Sequence, residues 1–119
     1  MPSTTAPRFG FRYGWAVGDN FKPEFDADLL KLDHVGLHLS VKDRDLTAPP
    51  GSPANGDTYI PAAGATGAWA GHAGKVAVYN TPTAAWIIYT PRIGWVAYIE
   101  DEEKLTAYKA AGWSAGIAI

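Results

Sequence analysis

The sequence predicts a mainly β protein in which five to six short strands form an antiparallel meander, rolled into a small barrel or stacked as a sandwich. Three features lead to this prediction: short strand-like runs with tight turns in the second half, one helical period over residues 22–35, and an irregular first segment. Closely spaced short strands with turn signals between them are typical of all-β folds. Because 119 residues fit one domain, we predict an extended arm over residues 1–20 and a single domain over residues 21–119.

The predicted arm contains two prolines and three glycines, a composition that disfavours a helix. It also carries four aromatic rings, which is too many for a free linker, so we expect the arm to pack on another surface. These rings are Phe9, Phe11, Tyr13 and Trp15.

One amphipathic helix is predicted over about residues 22–35. Its apolar residues recur at spacings of four, three and three, at Phe25, Leu29, Leu32 and Val35. Pro23 is a start signal and Gly36 is a stop signal. The polar residues of the opposite face are expected to be solvated, and these are Lys22, Glu24, Asp28 and Lys31.

A β domain is predicted over residues 37–119. After Gly36 the hydrophobic period becomes two, because Leu37, Leu39 and Val41 alternate with polar residues, which indicates a half-buried strand. The segment TAPPGSPANGD is a loop, since turn-forming residues follow one another along it. Six further strands are predicted beyond the loop, at residues 58–62, 75–79, 85–90, 95–100, 105–109 and 113–117.

Composition and charge exclude several function classes. Ten Lys and Arg residues against 12 Asp and Glu residues give a net charge of −2, so no basic field exists for nucleic acid or anionic lipid. We expect no nucleic-acid partner. The sequence contains neither a secretory signal nor an apolar run long enough to span a bilayer, so we expect no membrane insertion. The absence of cysteine excludes disulfides and thiol catalysis.

The titratable residues form no recognised catalytic pattern, and we predict that the protein is not an enzyme. No serine lies in a Gly-x-Ser-x-Gly elbow. A glycan hydrolase that uses acids such as Asp43, Asp45 or Glu100 is an alternative. The acidic run at residues 100–103 is better explained as a soluble hairpin tip. The histidines lack metal-ligand spacing, so we expect no metal and no cofactor; they are His34, His38 and His72.

The β domain is rich in Trp and Tyr, whose rings can fill a core, form a protein interface or stack on sugar rings. We expect structural use for most of them. In the strand at 95–100, Trp95 and Tyr98 lie on opposite faces, which is common where one face meets a core and the other a partner. Three residues near turns are predicted to bind a glycan, as an alternative function: Trp69, His72 and Trp86.

Two segments of the β domain, DRDLTAPPGSPANGDTYI and GATGAWAGH, form a long ordered pattern, and PRIGWVAYIEDE supports it independently. Together they resemble a domain of unknown function that recurs in tail-fibre and other virion proteins of tailed phages, prophages and gene-transfer particles. The resemblance covers about residues 37–113. The preceding YGWAVGDNFKPEFDADLLKLD is similar to the segment that often leads into this domain.

The resemblance implies a structural virion protein: a fibre, spike or tail-associated subunit that is a homotrimer, contacts other virion proteins and contributes to host-surface attachment. A capsid decoration protein, such as a head fibre or cement protein, is the alternative, and a module that binds a host-surface glycan is a lesser one. Assembly in the host cytoplasm and release by lysis account for the missing secretory signal. The rings of the arm are then expected to anchor the protein to the particle or to a neighbouring subunit.

Overall fold

The computed structural model describes residues 3–119, and the first two residues of the predicted arm lie outside that range. It confirms the mainly β class, with ten short strands and one helix in the described part of the chain. The chain divides into two compact units, one that ends at His38 and one that spans Leu39–Ile119. We call them the arm-helix unit and the β unit.

The arm-helix unit consists of a small hairpin and a helix. Strands β1 (Thr4–Thr5) and β2 (Arg12–Tyr13) pair antiparallel, and α1 spans Lys22–Lys31. The helix continues through a wider π-helical turn, Leu32–Gly36, so the predicted helix over 22–35 is confirmed to within one residue. A Cβ on Gly36 would lie 2.8 Å from Cδ1 of Leu32. Only glycine therefore fits this last turn without a shift of the leucine.

The predicted arm is a folded-back hairpin rather than an extended segment. Its turn lies at residues 7–9, and the main chain closes it through a bond from Ala6 N to Phe11 O of 2.8 Å. The hairpin and the helix belong to one compact unit, which ends at His38. The division into an arm over residues 1–20 and a single domain over residues 21–119 stays a prediction.

The β unit contains two sheets. The strands of the first sheet are β3 (Ser40–Val41), β7 (Val96–Ile99), β8 (Lys104–Lys109), β9 (Gly112–Trp113) and β10 (Ile117–Ala118). Their order is β10-β8-β7-β3, with β9 paired to the far end of β8. The second has the order β4-β5-β6, and its strands are β4 (Thr58–Tyr59), β5 (Val76–Asn80) and β6 (Ala85–Tyr89).

The meander prediction holds for β4-β5-β6 and for β7-β8, which pair antiparallel with their sequence neighbours. Strand β3 departs from it, since it pairs parallel with β7, with Ser40 opposite Tyr98. The predicted strand at 113–117 is divided between β9 and β10. Gly116 lies between them at φ +93°, a conformation that L side chains rarely adopt.

Residues 42–47 connect the two sheets by running along the edge of β4. Lys42 N donates to Thr58 O at 2.8 Å, and Ile60 N donates to Asp43 O at 3.2 Å. The strands of the β unit thus follow one another from β10 to β6 in an almost continuous ladder. Among the described strands this ladder is open, and no closed barrel forms.

The core of the β unit is built from the inward faces of these strands. In β7, Ala97 and Ile99 are buried while Val96 is exposed, which is the alternation expected of a strand with one covered face. In β5 the three residues Val76, Ala77 and Val78 are all buried, because this strand is central in its sheet and covered on both faces.

Candidate functional site

The rings of the arm pack on helix α1 within the arm-helix unit. Phe9 and Phe11 stack with ring centroids 5.4 Å apart. The ammonium of Lys31 lies 6.0 and 5.9 Å from the two centroids, which is cation–π distance, and it also donates a hydrogen bond to the carbonyl oxygen of Phe9. The predicted packing of the arm is therefore onto the chain's own helix.

Trp15 is fixed by a polar and an apolar contact. Its indole Nε1 donates to Oε1 of Glu24 at 2.7 Å, and its ring meets the edge of Phe25 with centroids 6.3 Å apart. The hydroxyl of Ser3 donates to the same carboxylate oxygen at 2.5 Å. The hydrogen bonds from Ser3 and Trp15 lower the pKa of Glu24 because they favour its charged form.

Arg12 and Asp28 form an ion pair that links the arm to the helix. The backbone N–H of Arg12 donates to Oδ2 of Asp28 at 2.6 Å, and its Nε donates to Oδ1 at 2.8 Å. A second guanidinium nitrogen donates to the carbonyl oxygen of Glu24 at 2.9 Å. Burial would raise the pKa of Asp28, but the hydrogen bonds from Arg12 outweigh it and the pKa is lowered.

The expectation that the polar face of α1 is solvated is wrong for Glu24, Asp28 and Lys31, because this is the face that binds the arm. The predicted apolar face is in turn half open, with Phe25 43% exposed and Leu29 50% exposed. Three of the four predicted anchor rings are half-buried on the helix, and Tyr13 is the exposed one. Their role as anchors to another protein stays a prediction.

A cluster of aromatic rings lies in the β unit and contains two of the predicted glycan-binding residues. Trp69 is fully buried, with its ring 5.6 Å from Tyr59 and 5.2 Å from Trp86. Trp86 also meets Tyr79, its cross-strand neighbour, edge to face at 5.2 Å. Since protein covers both faces of Trp69, Trp86 is the half-buried ring of the pair that keeps an accessible surface.

His72 is linked to this cluster through its backbone. Its backbone N–H donates to Trp69 O at 2.9 Å, and its ring atom Nδ1 is buried. Within residues 3–119, neither this atom nor Nε1 of Trp69 has a hydrogen-bond partner. Both polar atoms are enclosed by protein, so neither is placed to contact a molecule at the surface. The glycan-binding role of Trp69, His72 and Trp86 stays a prediction.

Three carboxylates meet where residues 43–45 approach the turn after β7. Asp43, Asp45 and Asp101 each offer an oxygen within 4.8 Å of the others. Burial and then the charge of Asp43 raise the pKa of Asp101. The sequence placed Asp101 in the acidic run at residues 100–103, and the fold brings it to Asp43 and Asp45 from that distant segment. Glu100, the other predicted acid, instead accepts a hydrogen bond from Ser40 Oγ at 2.7 Å.

Arg44 ties together three separate segments of the β unit. Its guanidinium donates hydrogen bonds to both carboxylate oxygens of Glu102, at 2.9 and 2.8 Å. It also donates to the carbonyl oxygens of Ser114 and Ala115, at 2.8 and 2.7 Å. The interpretation of the acidic run at 100–103 as a soluble hairpin tip is therefore wrong for Glu102, whose side chain is only 21% exposed.

An apolar row lies on the outer face of the first sheet. Leu105 of β8 is opposite Tyr98 of β7 on one side and opposite Ile117 of β10 on the other. Val96 lies two residues before Tyr98 and therefore on the same face. Val96 is 51% exposed, Leu105 41% and Ile117 73%. We call Val96, Tyr98, Leu105 and Ile117 the outer face. The sequence shows that these residues alternate along their strands, but it does not show which face of the sheet is covered.

The described residues contain no helix that is both long and apolar enough to cross a bilayer. Comparison with known proteins gives one match. A family profile described as protein of unknown function (DUF2793) matches residues 25–114, which include most of α1 and most of the β unit. No curated protein and no solved structure matches the chain.

Proposed function

The chain belongs to the DUF2793 family, described as a protein of unknown function, and we propose that it is a structural subunit of a tailed phage or phage-like particle. In this proposal it is a fibre, spike or tail-associated protein that binds other virion proteins and copies of itself and contributes to attachment to the host surface. It is assembled in the host cytoplasm and released by lysis. The resemblance of its GDTYI, GATGAWAGH and PRIGWVAYIEDE segments to virion domains supports this location and implies a homotrimer.

One structural observation carries the proposal, namely the outer face of the first sheet. Leu105 and Ile117 are directly opposite each other on adjacent strands, Val96 lies on the same face diagonal to Leu105, and all three are 41% exposed or more. Apolar side chains grouped in this way on the surface of a protein mark contacts with other macromolecules. A subunit that functions only within an assembly has a use for such a surface, because assembly removes it from water.

Incorporation into particles tests the proposal. Particles are purified on a density gradient from the strain that carries the gene, and peptides of this chain are sought by mass spectrometry in the same fractions as capsid and tail peptides. We expect the wild-type chain in those fractions. A chain that stays in the soluble lysate contradicts the proposal.

A pair of variants makes the test specific to the outer face. Leu105→Lys places a charge within that face, and we expect incorporation to fall at least about tenfold, the factor that 1.4 kcal/mol gives. Leu37→Lys is the matched control, since Leu37 is 68% exposed but belongs to the arm-helix unit. Circular dichroism verifies that both variants fold. Equal incorporation of the two variants would count against the outer face as the assembly surface.

A capsid decoration protein would use the same surface for assembly. The alternative is therefore that this chain lies on the head of the particle. A gradient of separated heads and tails distinguishes the two, because a decoration protein follows the heads.

Glycan binding is a second candidate function, favoured by the placement of Trp86. This ring is half-buried, is held edge to face against Tyr79, Tyr59 and Trp69, and lies on the outermost strand of its sheet. A rigid ring with one accessible side can stack on a sugar. Calorimetric titration with host polysaccharides tests it, with Trp86→Ala as the variant expected to lose the signal. Absence of heat with the wild type across those polysaccharides would eliminate it.

A further inference from the structure

The last residues of the loop before β4 form a tight turn that contains an asparagine followed by a glycine. Asp57 N donates to Ala54 O at 3.1 Å, which closes the turn, and Gly56 is its third residue with φ +87°. A positive φ at this position favours glycine. Outside the adjacent residues, a Cβ built on Gly56 would have no contact within 4 Å, and Asn55 and Gly56 are both exposed. Solvent therefore reaches both residues.

An asparagine that precedes a glycine can lose its side-chain amide without an enzyme. The main-chain nitrogen of the glycine, after giving its proton to hydroxide, attacks the side-chain carbon Cγ of the asparagine. The bond between Cγ and Nδ2 breaks, Nδ2 takes a proton from water and leaves as ammonia, and a cyclic succinimide remains. Glycine permits this attack because it has no Cβ beside the attacking nitrogen.

Water then opens the succinimide by adding to one of its two carbonyl carbons, and the bond from that carbon to the ring nitrogen breaks. Opening at Cγ gives aspartate in a normal main chain. Opening at the main-chain carbon gives isoaspartate, in which the main chain runs through the former side chain. The whole reaction consumes water, releases ammonia and adds a negative charge, and it needs no oxidant or reductant.

In the folded β unit, both reacting groups of this turn form hydrogen bonds with residues at the end of β5. Gly56 N donates to Tyr79 O at 2.8 Å, and Tyr79 N donates to Asp57 O at 2.9 Å. The side-chain oxygen Oδ1 of Asn55 accepts a hydrogen bond from Thr81 N at 2.9 Å. The attacking nitrogen and the attacked amide are thus bound to different partners, and both bonds must break before the nitrogen approaches Cγ.

We propose that Asn55 is a modification site, which converts to aspartate and isoaspartate when the turn separates from β5, and that these two hydrogen bonds set the rate. A locally open state is populated according to the contacts that oppose it. Isoaspartate adds a methylene group to the main chain, so Gly56 and Asp57 no longer match Tyr79 in spacing. The reaction therefore makes a transient opening at this end of the sheet permanent.

Incubation of the purified wild-type chain in buffer and in urea, at the same mildly alkaline pH, tests the proposal. The side-chain amides of the chain are those of three asparagines, so peptide mapping by mass spectrometry follows all of them. In urea we expect Asn55 to convert faster than Asn20 and Asn80, which precede residues larger than glycine. In buffer we expect Asn55 to convert at least about tenfold more slowly than in urea, because two hydrogen bonds must open first.

Two results of this incubation would overturn the proposal. Equal rates for Asn55 in buffer and in urea would mean that the fold does not control the reaction. Conversion of Asn55 in urea no faster than that of Asn20 and Asn80 would mean that Gly56 does not favour the attack. Neither measurement depends on incorporation of the chain into particles, so the outcome is independent of the proposed function.

A pair of variants at position 81 isolates one of the two hydrogen bonds. Thr81→Pro removes the N–H that Asn55 accepts from, whereas Thr81→Ala keeps it and removes only an exposed side chain. Proline suits this position, because Thr81 begins a 3₁₀ turn and Asn80 before it is extended, at φ −116° and ψ 103°. In buffer we expect Asn55 to convert at least about threefold faster in Thr81→Pro than in Thr81→Ala. Equal rates in these variants, with circular dichroism showing both folded, would overturn the role of this hydrogen bond.

Hydrogen exchange measures the consequence of the modification for the sheet. The chain with isoaspartate at position 55 is separated by its added charge on ion exchange and identified by isoaspartyl methyltransferase labelling. We expect its Tyr79 amide to exchange faster than in the unmodified chain, relative to amides of β7. Asn55→Asp is the matched control, since it adds the same charge in a normal main chain and keeps an oxygen for Thr81 N. Unchanged exchange at Tyr79 in the isoaspartate chain would contradict a permanent opening.

Discussion

The arm-helix unit and the β unit are stabilised by different forces. Among residues 3–38 the only buried side chain is Val35, and the contacts between arm and helix are ion pairs, hydrogen bonds and ring contacts. The β unit instead buries apolar side chains such as Val41, Val78 and Ile99 completely. The first unit therefore depends on charge states and the second on burial, so the two should respond differently to mutation and to pH.

The largest effect is expected from a cavity in the β unit. Ile99→Ala removes a fully buried side chain from β7, and we expect it to lower the free energy of unfolding by about 2–5 kcal/mol. Leu29→Ala is the matched control in the arm-helix unit, where half of the side chain is already exposed, and should cost less than about 1 kcal/mol. Urea unfolding followed by tryptophan fluorescence measures both. Similar losses of unfolding free energy in the two variants would contradict the difference between the units.

A smaller loss of unfolding free energy is expected when the contact between Arg44 and Glu102 in the β unit is removed. Arg44→Ala leaves the half-buried Glu102 without its bidentate partner, and we expect a loss of about 2–3 kcal/mol. Arg44→Lys keeps the charge but not the fork, so it should recover only part of the loss. Full recovery by lysine in the same urea titration would mean that charge alone matters at this position.

In the arm-helix unit, Asp28→Asn should free the arm without unfolding the β unit. It removes the carboxylate that Arg12 contacts through its backbone nitrogen and two guanidinium nitrogens, at a local cost of about 1–2 kcal/mol. Hydrogen exchange at residues 11–13 measures the change, and amides of β5 serve as the internal reference. Asp26→Asn is the control, since Asp26 forms an exposed pair with Lys22 only. Faster exchange in β5 would show that the units are not independent.

Acid should have the same local effect as Asp28→Asn. The pKa values of Glu24 and Asp28 are lowered in the folded protein, so their stabilisation is present above their ordinary values of 4.5 and 3.8. It is lost as pH falls through the lower folded values. Exchange at residues 11–13 in the wild type should therefore accelerate below about pH 4, relative to β5.

The smallest effect is expected at alkaline pH in the β unit. Burial raises the pKa of Tyr89 to about 12, so the folded state favours the neutral phenol. The unfolded chain loses this proton near pH 10, and stability present below that pH is lost as pH rises toward 12. We expect a loss of about 1 kcal/mol, which Tyr89→Phe abolishes. Urea titrations at about pH 9 and about pH 11 measure this loss of unfolding free energy. If Tyr89→Phe lost as much stability between these pH values as the wild type, Tyr89 would not be the group responsible.

The difference between the two units also explains which parts of the structure the sequence predicts correctly. The strands at 75–79, 85–90, 95–100 and 105–109 were located correctly, because burial of one or both faces leaves a local pattern of apolar residues. The helix was located correctly by its period, but its polar face was misassigned. Nothing in a local period reports that Arg12 and Trp15 reach that face from another segment.

Contacts between distant segments account for the other differences. The parallel pairing of β3 with β7, the grip of Arg44 on Glu102, and the approach of Asp101 to Asp43 all join residues more than fifty positions apart. Pattern analysis of one sequence treats such residues separately. Trp69 was predicted near a turn, and it lies in one, but the 3₁₀ turn directs its ring into the core rather than to the surface.

In the proposed function, the β unit is the part of a phage-like particle that joins this chain to its neighbours. Cryo-electron microscopy of the intact particle tests it most directly, with the chain traced into density. We expect density for this chain in the particle, with Val96, Leu105 and Ile117 covered by a neighbouring subunit. A particle that lacks the chain, or one in which that face is open to solvent in every copy, would contradict it.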